Sequence, residues 1–322
     1  MKYIRTYGDY NSWKLDYSDS NRGFRLKPTL YKYSDTNAES KILLETDDPR
    51  KHGDSTYIEI TLDSDVEFSF YIDNKPGDTQ TTMDCKVDWG DGNYGSTRLT
   101  TDDKGFKLSH NYKAGSYSIE LYGVERDYSI AGYDNMSLIS PANVNFKRVI
   151  LSESVVSIEA GAFDSQYHLT SIYIPKSVTS IETYAFQGCE SLTSINIPEG
   201  ITTIEYGALY SCSSLTSVYI PESVTNIGPW GFGGCSPLTS INIPEKVTNI
   251  GEEAFAKCSS LKSISSFNTT APILDDSDTD DNPVSVFDGL PANGTLHVKH
   301  GATGYDAWLS ALPSGWKIVE SL

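Results

Sequence analysis

Three glutamates recur at a fixed interval and raise the question of acid–base chemistry. Glu159, Glu182 and Glu205 lie 23 residues apart. Two carboxyl groups roughly 5 to 9.5 Å apart in a cleft are what glycoside hydrolysis requires. Nothing in the surrounding sequence distinguishes a general acid from a general base, so we interpret the three as surface residues of a repeated turn. A glycan-active enzyme or its accessory module is an alternative, which a carboxylate pair inside a cleft would support.

Four cysteines recur at the same interval, at positions 189, 212, 235 and 258. The chain has five cysteines, an odd number, so they cannot all pair with one another. Equivalent side chains of stacked repeats point in the same direction, which is poor geometry for a disulfide. Neither a Cys-x-x-Cys pair nor a histidine partner suggests zinc, which is the minor alternative. We therefore predict buried, free thiols that act as small apolar side chains.

Aspartates at two places could bind calcium. The acidic loop 275–281 lacks the glycine and the distal glutamate of an EF-hand loop. Asp88 and Asp91 flank a glycine-rich turn, but calcium prefers six or more oxygen ligands. We favour a solvated loop in the first case and carboxylates that accept hydrogen bonds from turn amides in the second. The sequence contains no nucleophile, metalloprotease or phosphate-loop signature, so we expect neither catalytic residues nor a cofactor.

The remaining candidate site is a face rather than a pocket. Tyrosine and asparagine alternate at one outward position of the repeat, and serine stands two residues earlier. Solenoids bind partners through extended, regular faces, and tyrosine supplies contact area at low entropic cost. Ordinary solvent-facing strand residues are an equally weighted alternative. The residues predicted to bind a ligand are Tyr173, Asn196, Tyr219, Asn242, Ser194 and Ser217.

A 23-residue repeat must position all of these residues. The stretch Ile195–Ser217 recurs as Ile172–Ser194, Val218–Ser240 and Ile241–Ser263, and in a more divergent form as Val149–Ser171. A fixed period of this size predicts a solenoid, in which each repeat forms one coil. Alternating isoleucines predict a short strand, a proline ends it, and a compact turn or short helix returns the chain. One coil has too few core residues to fold alone, so the coils must stack.

The pattern L-T-S-I-x-I-P-x-x-V-T-x-I-x-x-x-A-F-x-x-C-x-S resembles the BspA-like leucine-rich repeat. Together with a closing strand, helix and strand, this resemblance covers residues 149–322. We expect the closing helix to span Thr303–Leu312, with Thr303 as its N-cap. The resemblance implies a surface protein that contacts host proteins, other cells or glycans.

Residues 56–124 contain a second pattern, formed by Trp89, Gly90, Asp91, Gly92, His110, Tyr112, Gly115, Tyr117 and Leu121. This pattern resembles the PKD domain, an immunoglobulin-like β-sandwich. We expect Trp89 to fill the centre of the sandwich, Gly90 and Gly92 to allow a tight turn, and Asp91 to satisfy turn amides. The expected fold is therefore mostly β: an N-terminal arm or small β segment (1–54), a PKD-like β-sandwich (55–145) and a leucine-rich repeat solenoid with a C-terminal cap (146–322).

Charge and composition restrict the partners. A net charge of -18 argues against nucleic acid as a binding partner. No apolar run approaches the ~20 residues of a membrane span, and the N-terminus lacks the apolar region of a signal peptide. Residues 1–27 carry six basic and three acidic residues, which suggests that segment 1–54 docks onto an acidic surface, such as a capsid or tail assembly. An ordinary first strand region explains the same charges.

The expected function is non-catalytic binding or adhesion at the surface of a cell or a virion. In this interpretation the solenoid face contacts a host protein or a glycan. An alternative is a leaderless phage structural protein of the head, tail fibre or decoration type, in which the repeats serve mainly as a spacer.

Overall fold

The computed structural model describes residues 29–32, 40–43, 55–74, 79, 81–102, 105–122, 124, 128–130, 144–275 and 285–321. The chain divides into two compact units, Met1–Gly53 and Asp54–Leu322. In the first unit, β1 (Thr29–Lys32) and β2 (Ser40–Leu43) form an antiparallel pair. The rest of the predicted arm lies outside the described residues.

The second unit begins with an antiparallel region. Its strands are β3 (Thr56–Leu62), β4 (Val66–Asn74), β5 (Thr82–Asp88), β6 (Tyr94–Asp102), β7 (Gly105–Tyr112), β8 (Gly115–Tyr122), β9 (Tyr128–Ile130) and β10 (Val144–Ile150). Residues along β3 alternate between buried and half-buried, as the period of two predicts for a strand with one face on a core. The aromatic centre of this core consists of Phe68, Tyr112 and Phe146, with ring centroids 6.0 to 6.1 Å from Phe68.

Trp89 does not fill this centre, and our expectation for it was wrong. The residue follows β5 and begins a turn, in which its amide donates to the carbonyl of Asn93 at 3.0 Å. Its half-buried indole stacks on His110, with centroids 4.9 Å apart. A side chain in a turn at the end of a strand reaches the rim of the core, whereas the centre is filled from strands that run through it.

The solenoid consists of two stacks of short parallel strands. The strands of the first stack are β12 (Ser171–Tyr173), β14 (Ser194–Asn196), β16 (Ser217–Tyr219), β18 (Ser240–Ile243), β20 (Ser263–Ser266), β22 (Thr295–Val298) and β23 (Lys317–Glu320). Those of the second stack are β11 (Val155–Ile158), β13 (Ser180–Ile181), β15 (Thr203–Ile204), β17 (Asn226–Ile227), β19 (Asn249–Ile250) and β21 (Ile273–Leu274). Turns connect each strand of the second stack to the next coil. Because strands and turns make up nearly all of the described chain, the fold is mostly β with a solenoid, as predicted.

Both stacks continue directly from the antiparallel region. Strand β10 pairs antiparallel with β3 and parallel with β12, while β9 pairs antiparallel with β4 and parallel with β11. Eleven strands therefore form one sheet, in the order β12-β10-β3-β8-β5-β6-β7-β4-β9-β11-β13. A solenoid end would otherwise expose unpaired strand edges and core isoleucines. The antiparallel region covers that end.

A buried hydrogen-bond network joins the first coil to the antiparallel region. The hydroxyl groups of Thr56 and Tyr128 lie 2.7 Å apart, and that of Tyr128 lies 3.2 Å from Ser152 Oγ. The amide of Ser152 donates to Thr56 Oγ1 at 3.2 Å. Later coils have proline at the equivalent position, which has no amide hydrogen to donate. Serine in the first coil is therefore explained by its contact with β3.

Aromatic rings form a column through the solenoid core. Phe163 stacks on Phe186 with centroids 5.3 Å apart, and Leu209 replaces the ring in the next coil. The column resumes as Phe232, Phe255 and Phe287, at 5.6 and 6.2 Å, and ends at Trp308, 5.5 Å from Phe287. Trp308 is 1% exposed, so the C-terminal helix closes the apolar end of the array.

The closing helix spans Tyr305–Ala311, and Gly304 with φ of 85° is its N-cap. Our prediction of Thr303 as the cap was wrong. The amide of Thr303 donates to Thr269 O, and its carbonyl accepts from Ala271. Thr303 is thus held in a β-bridge with Thr270, and the chain must turn sharply before the helix can begin.

The cysteine ladder is buried and free of disulfides, as predicted. Each thiol donates to a carbonyl of the preceding coil, for example Cys189 Sγ to Phe163 O at 3.1 Å and Cys258 Sγ to Phe232 O at 3.2 Å. Burial raises the pKa of all four thiols, and that of Cys258 to about 12. The thiolate that reacts with disulfides and alkylating agents is therefore scarce at neutral pH.

We expect all five cysteines to react slowly with an aromatic disulfide reagent in the native protein and rapidly in denaturant, because burial blocks both access and ionisation. Absorbance of the released thiolate would follow the reaction. A native disulfide between any two repeat cysteines, detected by mass spectrometry, would contradict the buried-ladder interpretation.

Candidate binding face

The first stack of strands brings the predicted binding residues onto one face. In β12 and β14 the central isoleucine is buried, and the residues on either side are half-buried. Strand register aligns Ser194 with Ser217 and Asn196 with Tyr219. Strands β12 and β18 flank this pair of strands. We call the outward residues Tyr173, Asn196, Tyr219, Asn242, Ser194 and Ser217 the strip.

Asn196 has a structural role that the sequence did not indicate. Its Oδ1 accepts from the amide of Ile174 at 3.1 Å, and its Nδ2 donates to the carbonyl of Ile174 at 2.7 Å. The side-chain amide thus bridges two coils as a strand backbone would. This use of both polar atoms competes with the ligand contact that we predicted for Asn196.

The two tyrosines of the strip each lie beside a glutamate of the preceding coil. The hydroxyl of Tyr219 donates to Glu199 Oε1 at 3.2 Å. Burial, and secondarily the charge of Glu153, raises the pKa of the Tyr173 phenol. Both side chains are half-buried, so part of each remains accessible to a partner.

The serines are less accessible than the sequence suggested. Ser194 and Ser217 are half-buried, and Ser217 Oγ itself is buried with no hydrogen-bond partner among the described residues. A ligand could reach this hydroxyl only if the coil shifted. The groups of the strip that a ligand could contact are therefore mainly those of the tyrosines.

Two of the three recurring glutamates, Glu182 and Glu205, line a groove on the second stack. The groove has a volume of about 340 Å³ and is bounded by β13 and β15. It is lined by Thr179, Ser180, Ile181, Glu182, Thr183, Thr202, Thr203 and Glu205. Burial, followed by the charge of Glu182, raises the pKa of Glu205. Glu159, Glu182 and Glu205 are half-buried in their turns, and the last two line this groove at the surface of the second stack.

The glycine-rich turn after β5 is held by its own carboxylates. Asp88 Oδ1 accepts from the amide of Gly90 at 2.9 Å, and Asp91 Oδ1 accepts from that of Asn93 at 3.0 Å. His110 Nε2 lies 2.7 Å from Asp91 Oδ2. Partial burial raises the pKa of Asp91, but the hydrogen bonds from His110 and Asn93 outweigh it and hold the pKa at about 2. Both oxygens of Asp91 thus serve the turn, which favours our structural interpretation over calcium binding.

Within the described residues, no three His, Cys, Asp or Glu side chains are grouped as a metal site would require. The acidic loop lies outside the described residues from 276 to 281, so the calcium alternative there stays a prediction. In the same described part of the chain, no helix is long and apolar enough to cross a membrane.

Comparison with known proteins identifies the repeats. Residues 142–277, less than half of the chain, match the BspA type leucine rich repeat region in six copies. A search of curated proteins found no match.

Three solved structures are similar. A leucine-rich repeat protein of T. pallidum is 32% identical with a TM-score of 0.38, over 39% of this chain and 59% of that one. A leucine-rich repeat protein of Bacteroides ovatus is 22% identical with a TM-score of 0.41, over 54% and 42%. A leucine rich cell surface protein of Faecalibacterium prausnitzii is 19% identical with a TM-score of 0.34, over 70% and 77%.

The chain thus spans less than two thirds of the first two of these proteins. The period of 23 residues, the two parallel stacks and the family match agree: residues 142–277 are a BspA-type leucine-rich repeat region.

Proposed function

We propose that this protein is a non-catalytic binding or adhesion protein at the surface of a cell or a virion, and that its solenoid face contacts a host protein or a glycan. The observation that carries the proposal is that the strip lies on neighbouring parallel strands of one stack, with Asn196 aligned to Tyr219 and both tyrosine rings half-buried. One similar structure is named a leucine rich cell surface protein, which is compatible with this location.

The face extends beyond the solenoid. Tyr173 aligns with Ile150, and Ile150 aligns with Tyr57 of β3. The ring of Tyr57 lies under the guanidinium group of Arg148, at 5.9 Å. A partner that lies along the strip would therefore meet aromatic surface in the antiparallel region as well. We propose that this region, with its Trp-Gly-Asp-Gly turn, is the PKD-like module predicted from the sequence.

The double substitution Tyr173→Ala/Tyr219→Ala is expected to weaken binding tenfold or more, which corresponds to about 1.4 kcal/mol. The free energy of unfolding should fall by only about 1 to 2 kcal/mol, because both rings are half-buried and stand outside the core. Binding would be measured on printed arrays of extracellular proteins and glycans, with the wild-type protein defining the positive spots.

A matched control replaces two tyrosines outside the strip. Tyr167 and Tyr206 are 51% and 40% exposed and lie in the turns beyond the second stack. Tyr167→Ala/Tyr206→Ala should leave the array pattern unchanged. Equal loss in both double variants, or no loss in either, would refute the strip as the binding face.

A second candidate function, glycoside hydrolysis, is favoured by the groove alone. Glu182 and Glu205 occupy equivalent positions on adjacent coils, and neighbouring strands are about 4.8 Å apart. A separation of about 5 to 5.5 Å is that of the carboxyl pair in retaining glycosidases, in which the acid has a raised pKa. Hydrolysis of a panel of aryl glycosides that is lost in Glu205→Gln would establish this activity and contradict our proposal of a non-catalytic protein.

A further inference from the structure

A column of exposed and mostly acidic side chains runs beside the strip. The residue that follows the recurring proline, or Ser152 in the first coil, is exposed in five successive coils. Four of the five are glutamates. The column consists of Glu153, Lys176, Glu199, Glu222 and Glu245.

These carboxylates lie on the same side of the coils as the strip. Glu199 accepts the hydrogen bond from Tyr219, and the charge of Glu153 acts on Tyr173. Glu245 Oε1 accepts from Lys299 Nζ at 2.8 Å. The tyrosines and the acidic column therefore form one surface, which a single partner would contact as a unit.

The column carries charge that the described chain only partly neutralises. Stacked strands are about 4.8 Å apart, so Glu199, Glu222 and Glu245 place three like charges in close succession. Among these three, only Glu245 has a cation within 4 Å in the described residues, namely Lys299. The whole chain has a net charge of -18, so distant charges do not provide compensation. A cationic partner would relieve this repulsion on binding.

The acidic character continues into the antiparallel region. Tyr57 aligns with Glu120 of β8, and Glu120 aligns with Asp88 of β5. Both acidic residues are half-buried and outward-facing. An extended partner thus meets the carboxylates of Glu120 and Asp88 beyond Tyr57, while Arg148, the cation over the Tyr57 ring, is paired with Glu59 at 2.8 Å.

We propose that this face docks a basic protein segment, rich in arginine or lysine, and not an acidic glycan. The inference rests on the proposed function, because it assigns a partner chemistry to the same face. Guanidinium groups pair with carboxylates through two hydrogen bonds and stack on tyrosine rings, so arginine fits both components of the surface. Sulfated or sialylated glycans would be repelled.

The test uses fluorescein-labelled nona-arginine, with nona-glutamate and heparin as oppositely charged probes, in fluorescence anisotropy. Wild-type protein should bind nona-arginine alone, with an affinity that falls steeply between about 50 and 300 mM salt as the charges are screened. Glu199→Gln/Glu222→Gln should weaken this binding about fivefold or more, because it removes two charges from the column. Glutamine keeps an acceptor for Tyr219, so the fold should be unaffected.

The control is Glu182→Gln/Glu205→Gln, which makes the same change of net charge in the groove of the second stack. We expect it to alter the affinity for nona-arginine by less than about twofold. Equal losses in both pairs would show that only net charge matters and would overturn the proposal, as would a preference for heparin. If Tyr173→Ala/Tyr219→Ala abolishes array binding while Glu199→Gln/Glu222→Gln does not alter nona-arginine binding, the binding face stands and the basic partner is refuted.

Discussion

Replacement of Phe186 by alanine is expected to lower the free energy of unfolding by about 3 to 5 kcal/mol. Phe186 is fully buried, and its ring stacks on Phe163 with centroids 5.3 Å apart. Leu209, also buried, occupies the equivalent position of the next coil. Removal of the ring therefore leaves a cavity between two coils, and the surrounding main chain cannot collapse into it because each coil is held by hydrogen bonds to its neighbours.

The loss should be local. Coils contact mainly their neighbours, so a cavity in the second coil should loosen coils one to three, residues 149–217, before the antiparallel region. Hydrogen exchange read by mass spectrometry would show where protection falls. Uniform loss of protection across both regions would contradict the expectation. Tyr167→Ala serves as control, because this ring is 51% exposed and its removal should cost under about 1 kcal/mol.

The solenoid could be predicted from the sequence because its information is redundant. Four of the five copies repeat the same spacing of isoleucine, proline and cysteine, and the parallel pairings follow that spacing, for example Ser194 with Ser217 and Ser240 with Ser263. Substitutions in one copy do not obscure the others. The buried cysteines and the phenylalanine column follow from the same argument, since stacked coils place equivalent side chains above one another.

Other features depend on contacts between distant residues or on backbone conformation, and the sequence did not reveal them. Ser152 departs from the repeat because of Thr56, which lies 96 residues away. The groove depends on how far the turn buries Glu205, which residue spacing does not encode.

A residue with left-handed backbone conformation recurs at one position of the five coils, with φ between 51° and 66°. The residues at this position are Gly161, Tyr184, Gly207, Trp230 and Glu253. A glycine at this position in every copy would have indicated the conformation from the sequence, but three of the five copies have residues with side chains there.

Gly90→Ala is expected to destabilise the antiparallel region by about 2 to 5 kcal/mol, through two separate costs. Gly90 has φ of 76°, which costs an alanine about 1 to 2 kcal/mol. A Cβ at this position would also lie 2.4 Å from the carbonyl oxygen of Ser118 and 2.9 Å from its amide nitrogen. These are backbone atoms of β8, which pairs with β3, so they cannot move without disturbing the sheet. Such overpacking costs about 1 to 3 kcal/mol more.

Gly92→Ala separates the two costs within the same turn. Gly92 also has a positive φ, 95°, but a Cβ there would meet nothing within 4 Å. Gly92→Ala should therefore cost only about 1 to 2 kcal/mol, the conformational part of the effect. Urea unfolding followed by tryptophan fluorescence measures both variants, and Trp89, stacked on His110 beside the turn, reports its integrity. Equal destabilisation by the two substitutions would show that the close approach to Ser118 does not constrain Gly90, and that conformation alone requires glycine at both positions.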